Sequence, residues 1–198
     1  MGIEALDLFE VIESILTSSV GRLAEFRELP RPRLARELLE TFDLIGEMGK
    51  RSDRVAELIR RCEACQTPEG KVYFIFEAGK ALKLLGETCG QFLYWNYSDK
   101  RTVRLSRLLS PELRETVRKI VDEESLDPDE TKFPVPYAVE ELREALEAIP
   151  HPDPRKLPSP EVLRRAGERF ESLTASCDGA RAGIRAFAET ALAVEDFF

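Results

Sequence analysis

The chain has 198 residues, 43% of them hydrophobic and 33% charged, with a formal net charge of −8. That is enough apolar material to bury a core, which excludes an intrinsically disordered chain, and the length suits one helical domain over residues 1–198. The charge is uneven, with +1 over residues 1–119 and −9 over residues 120–198, so the acidic part argues against the whole chain coating nucleic acid or a membrane surface.

The first apolar stretch, Ile3 to Leu16, is interrupted by Glu4, Asp7, Glu10 and Glu13 and has no basic segment before it, so it does not read as a signal peptide. No uncharged apolar run reaches the 18 or so residues of a membrane span. Four cysteines are too few for a disulfide scaffold, and a reducing cytoplasm is the expected setting.

In chain order, Leu8, Phe9, Ile12, Leu16, Ser19, Val20, Leu23 and Phe26 recur at helical spacing and predict a first helix over about 3–28. Pro30 and Pro32 interrupt it, and Pro32 suits the first turn of the next helix, where its missing N–H costs nothing. Leu34, Leu38, Phe42 and Ile45 then share a face. Gly46 and Gly49 weaken the helix locally, so residues 33–65 read either as two helices, the second capped by Ser52 or Asp53, or as one kinked helix.

Thr67-Pro68-Glu69 carries a capping residue, a first-turn proline and an acidic second position. Val72 to Phe76 and Phe92 to Trp95 have the composition of strands. The polar stripe Glu69, Glu77, Lys80, Lys83, Glu87 and Gln91, extended by Tyr73 and Tyr94, follows a period of 3.6 and predicts one helix over 68–97. Its opposite side is apolar from Val72 through Phe76 to Leu93, so this helix is expected to be the buried centre of the molecule. Shorter helices are predicted over 98–109, 110–124 and 137–148. The prolines of 150–159 mark a linker, and Ser159-Pro160-Glu161 opens a last helix whose stripe from Leu163 continues to Phe198. The expected fold class is all-α, an irregular bundle of about six to eight helices around a long central helix 68–97 packed on a long C-terminal helix 160–198. Gly79, Gly86 and Gly90 on the one, and Ala175, Gly179, Ala180 and Gly183 on the other, predict that contact, with Cys89 and Cys177 near it.

Chemistry-bearing patterns are sparse. Cys62 and Cys65 form a C-x-x-C pair able to share a soft metal if Cys89 and Cys177 complete the site from two other helices; the plainer reading is four small core residues. Arg101, Arg104, Arg107, Arg114 and Arg118 form the least neutralised basic face, a candidate anion or nucleic-acid site with no recognised nucleic-acid motif beside it. The aromatic cluster ending in Tyr94, Trp95 and Tyr97, together with the terminal Phe197 and Phe198, is a candidate partner surface. His151 is the sole histidine and lies in the proline linker, which removes most triad chemistry and any E-x-x-H di-metal site. No phosphate-binding glycine motif occurs.

By elimination, the sequence predicts no catalytic activity and no cofactor. It points to a regulatory or adaptor module whose partner is another protein or a second copy of itself, with a cysteine-based metal or redox sensor and a nucleic-acid-binding accessory protein as alternatives.

Overall fold

A computed structural model of the chain describes residues 8–97, 105, 111, 114–115, 157–193 and 196. The described residues form four α-helices, α1 (Leu8–Val20), α2 (Arg31–Ala64), α3 (Pro68–Tyr97) and α4 (Pro160–Ala191), with a 3-10 turn at Leu23–Phe26. The architecture is all-helical and packed around one apolar core. The described residues hold four helices where six to eight are expected; apart from residues 105, 111 and 114–115, the segments predicted helical over 98–148 and most of the proline linker lie outside the described residues.

α2 is one continuous helix of 34 residues, about 50 Å long. Pro32 sits in its first turn, and the Leu34 N–H already bonds the Pro30 carbonyl at 2.9 Å. Ion pairs at helical spacing run along it: Lys50–Glu47 and Arg54–Glu57 on its outer surface, each contributing a few tenths of a kcal/mol, and Arg33–Glu37 with the Glu37 carboxylate buried. Cys65 turns extended and ends the helix, its N–H closing on the Arg61 and Cys62 carbonyls. Two residues later the Thr67 hydroxyl accepts the Gly70 N–H at 3.2 Å, which is the cap anticipated for α3. A connection this short makes α2 and α3 an antiparallel hairpin.

The centre of the molecule is α2, not α3. α2 packs against α3 on one side and α4 on another, while α1 packs against α4. The register of each pair follows from named contacts. Along α2–α3, the Cys62 thiol faces the Lys71 carbonyl, and Arg51 donates to the Leu84 carbonyl at 2.6 Å. Along α2–α4, Gly46 lies against Arg181, Gly49 against Cys177 and Gly167 against Ile59, so these helices are also antiparallel. The Ser52 hydroxyl donates to the Phe170 carbonyl at 2.7 Å, a buried bond between the two helices. α1 runs parallel to α4, with Glu13 3.6 Å from Arg169 and Val20 seated on Gly183.

The expectation that helix 68–97 packs along helix 160–198 is therefore corrected: α2 takes that place beside each of them. α3 and α4 come near one another at Cys89 and Cys177, close enough for Cys177 to raise the ionisation of Cys89. The difference has a physical cause. α3 is the more apolar helix, but part of its apolar surface is exposed, whereas α2 meets its neighbours partly through Gly46, Gly49, Ser52 and Thr41, all buried. Small residues let backbones approach, so the most central helix is not the most hydrophobic one. Phe76, placed on the core side by the sequence pattern, is 36% exposed.

The ends of the two outer helices also differ from expectation. α1 stops at Val20 rather than near 28, after Thr17, Ser18 and Ser19. The Thr17 hydroxyl bonds back to the Glu13 carbonyl and that of Ser19 to the Ile15 carbonyl, Gly21 follows, and the chain tightens into the 3-10 turn that buries Leu23 and Phe26. α4 begins at the expected cap, where the Ser159 hydroxyl accepts the Val162 N–H at 3.3 Å. It ends at Ala191, because Leu192 turns extended with φ −123° and ψ 150°.

Two glycines on α4, four residues apart, predict opposite outcomes. A Cβ at Gly179 would meet nothing within 4 Å, while one at Gly183 would collide with Val20. Gly179→Ala is expected to stabilise the chain by about 0.5–1 kcal/mol through helix propensity. Gly183→Val is expected to cost about 1–3 kcal/mol through overpacking. Thermal unfolding of both variants checks the pair, with equal shifts counting against this packing.

Candidate functional site

The cysteines divide into two pairs. Cys62 and Cys65 lie at the α2–α3 turn; Cys177 lies against Gly49, thirteen residues back along α2 from Cys62, with Cys89 close to Cys177. At 1.5 Å per residue the pairs are about 20 Å apart along the helix axis. All four thiols are free. Among the described residues, no three His, Cys, Asp or Glu side chains stand together as a metal site.

Burial is the main cause of the ionisation behaviour of these thiols. It pushes Cys62 up to about 11, the Lys71 charge opposing it in part. It pushes Cys177 up to about 12, with Asp178 and Glu13 adding to the shift and Arg181 opposing it. Cys89 is raised further still by burial and by Cys177, against the pull of Arg51. A thiol held neutral is a poor nucleophile and a poor metal ligand. Cys65 is the one that is not fully buried.

Of the basic face, Arg114 is described and exposed; Arg101, Arg104, Arg107 and Arg118 lie outside the described residues. Of the predicted partner surface, Tyr94 is 53% exposed, whereas Trp95 is half-buried and packed against the core. Tyr97 closes α3, and its side chain, like Phe197 and Phe198, lies outside the described residues. Asn96, next to them, is buried and structural. Its amide donates to the Phe92 carbonyl, and its carbonyl accepts the N–H of the buried Leu105, both at 2.8 Å.

The feature that gathers surface chemistry is the outward face of α3. Among the described residues, the large hydrophobic side chains left exposed are Leu39 of α2 and Tyr73, Phe76, Leu84 and Tyr94 of α3. The last four are not scattered. At 100° per residue they fall, with Lys80, Glu87 and Gln91, on one stripe about two-thirds the length of the helix. Their positions are organised by local contacts. The Lys80 ammonium sits 4.1 Å above the Phe76 ring and 2.9 Å from Glu77, and the Tyr73 ring meets that of Phe74 edge-on at 5.5 Å. From the inner side, Arg51 donates to the Leu84 carbonyl and to the Thr88 hydroxyl, anchoring the middle of α3 to α2. The stripe is thus a rigid, ridged surface of aromatic, aliphatic and charged groups. Tyr73 and Tyr94 were visible in the sequence as extensions of the polar stripe. The sequence pattern places Phe76 on the core side and gives Leu84 to neither face; the 73-76-80-84-87-91-94 spacing is the signal that joins both to the stripe.

No known protein family matches the chain, and no curated protein or solved structure matches it either. No helix among the described residues is long and apolar enough to cross a membrane.

Two expected outcomes arise from the thiols. Brief alkylation of the native protein at pH 8 should label Cys65 and spare Cys62, Cys89 and Cys177 until the chain is unfolded, as read by mass spectrometry of the peptides; rapid labelling of Cys177 would contradict its burial. The folded thiols ionise later than the ordinary value of 9.0. The native state therefore holds protons that the unfolded chain has released. Their contribution to stability is fully present below pH 9 and is lost as pH rises through 11 to 12. Denaturant unfolding at pH 8, 9.5 and 11 should show falling stability, and replacing Cys177 with Ala should flatten that slope.

Proposed function

We propose that this chain is a helical protein–protein interaction module, acting as an adaptor, regulator or inhibitor with no catalytic step of its own, and that it docks through the outward face of α3. The observation that carries this reading is the concentration of exposed large apolar side chains on that one stripe. Single exposed hydrophobics are ordinary on any protein, but four aligned on one helix face and interleaved with charged residues suit an interaction surface. The composition fits a docking patch. Aromatic residues supply large contact areas at low entropic cost, and Lys80, Lys83, Glu77 and Glu87 supply a charged frame around them. Elimination supports the same reading. The single histidine and the protonated, buried thiols leave little with which to build a nucleophile–base pair.

Affinity capture with the full chain, compared with Phe76→Glu and Leu84→Glu, tests the proposal. Each variant should keep its helicity; Leu84→Glu should unfold within about 0.5 kcal/mol of the parent, while Phe76→Glu, which removes a ring only 36% exposed and its contact with Lys80, should unfold about 1–2 kcal/mol below it. The proteins captured by the parent should be lost from both variants. An unchanged set of captured proteins, with the variants folded, would remove α3 as the docking element.

A further inference from the structure

We infer that the occupant of the α3 face is the same face of a second copy of this chain, the two α3 helices lying antiparallel about a dyad between Lys83 and Leu84. This rests on the docking reading above and adds the partner and its register.

The exposed residues of α3 are arranged symmetrically about that point. Tyr73 and Tyr94 stand equally far from it on either side, and so do Phe76 and Gln91, and Lys80 and Glu87. In a two-fold interface, residue i meeting residue j requires that j also meet i, so a self-pairing surface must show this kind of internal complementarity. With the helices antiparallel about this dyad, Tyr73 of one copy is level with Tyr94 of the other, and Lys80 of one with Glu87 of the other. Each pairing occurs twice. Aromatic residues then close both ends of the contact, opposite charges meet inside them, and Leu84 and Lys83 of each copy lie next to the dyad, Leu84 of one copy level with Lys83 of the other. The exposed length from Tyr73 to Tyr94 is about 30 Å, enough for a continuous helix–helix contact.

Charge argues in the same direction. Each copy carries a net −8, so two copies repel unless the surfaces that meet are locally balanced. Between Tyr73 and Tyr94 the outward charges are Glu77, Lys80, Lys83 and Glu87, which sum to zero. The outer surface of α4 offers no comparable site. Its exposed residues include Arg164, Arg165, Glu168 and Glu171, with no large hydrophobic among them. On α2 the single exposed large hydrophobic is Leu39.

The pairing of Lys80 with Glu87 can be isolated from effects within one chain. The two residues are seven positions apart, about 10 Å along the helix, beyond the i,i+3 and i,i+4 reach of a pair on one helix. Lys80 is bonded within its own chain to Glu77. Exchanging Lys80 and Glu87 therefore restores no contact inside the monomer, and any recovery reports contact between copies.

Sedimentation equilibrium of the full chain over a range of concentrations reads the association directly. The parent should reach twice its 22.5 kDa mass. K80E alone and E87K alone should each weaken dimerisation about tenfold or more, and K80E/E87K should return to within about threefold of the parent. Circular dichroism verifies that each variant is folded. A chain that stays monomeric at every concentration overturns the second copy as the occupant. If that monomer still captures another protein that Leu84→Glu loses, the docking face survives and only its occupant was wrong. A dimer indifferent to both single reversals, or one that the double exchange fails to recover, overturns the antiparallel register.

Discussion

The packing of this protein depends on the close approach of α2 and α4. At Gly46 the neighbour is the Arg181 guanidinium, at Gly49 it is Cys177, and between Ser52 and Phe170 a hydroxyl reaches directly to a main-chain carbonyl. Side chains of ordinary size at these positions would hold the helix axes apart. Because they are small, the two longest helices share a tight seam, and the larger apolar residues Ile45, Met48, Ile59, Phe170 and Leu173 fill the space beside it. Interiors packed this closely transmit small changes in volume, so the seam sets the placement of α3 on one side and α1 on the other.

Charged groups at the seam reinforce the same geometry. Arg181 lies over the Phe42 ring at 4.2 Å, covering aromatic surface with its guanidinium while Gly46 leaves room for it. Glu13 and Arg169 tie α1 to α4 at 3.6 Å, both largely shielded from water. By contrast, Arg60 and Glu171 join α2 and α4 at the rim with both side chains more than half exposed, a contact worth little in water. The buried thiols belong to this packing as well. At Cys177 burial in the seam is the main cause of the raised ionisation. In the described core the buried cysteines pack as small, apolar groups, Cys177 directly against Gly49.

The seam leaves one helix face over. Since α2 takes the central place, α3 is held by one side, and its opposite face stays at the surface with Tyr73, Phe76, Leu84 and Tyr94 upon it. A helix apolar enough to sit at the centre of a bundle is thereby placed at its edge. The anchoring of Leu84 and Thr88 by Arg51 keeps that face rigid, and a rigid face loses little conformational entropy on docking.

Local signals in the sequence determined the helices and their starts: the prolines at 32, 68 and 160 in first turns, the caps Thr67 and Ser159, and the 3.6-residue polar stripe that made residues 68–97 one helix. These are legible because capping and periodicity act between residues a few positions apart. The tertiary structure alone decided which helix is central, that Gly46 and Gly49 unite α2 with α4 rather than breaking α2, that Gly183 has a partner where Gly179 has none, and that the cysteines fall into two pairs. None of these is a property of one helix. A glycine that weakens a helix and a glycine that admits a neighbour look the same in sequence, and an apolar stripe does not record whether another helix or a docking partner covers it. Only the relative placement of α2, α3 and α4 separates those cases, which is why the spacing marks the α3 stripe but only the fold leaves it exposed.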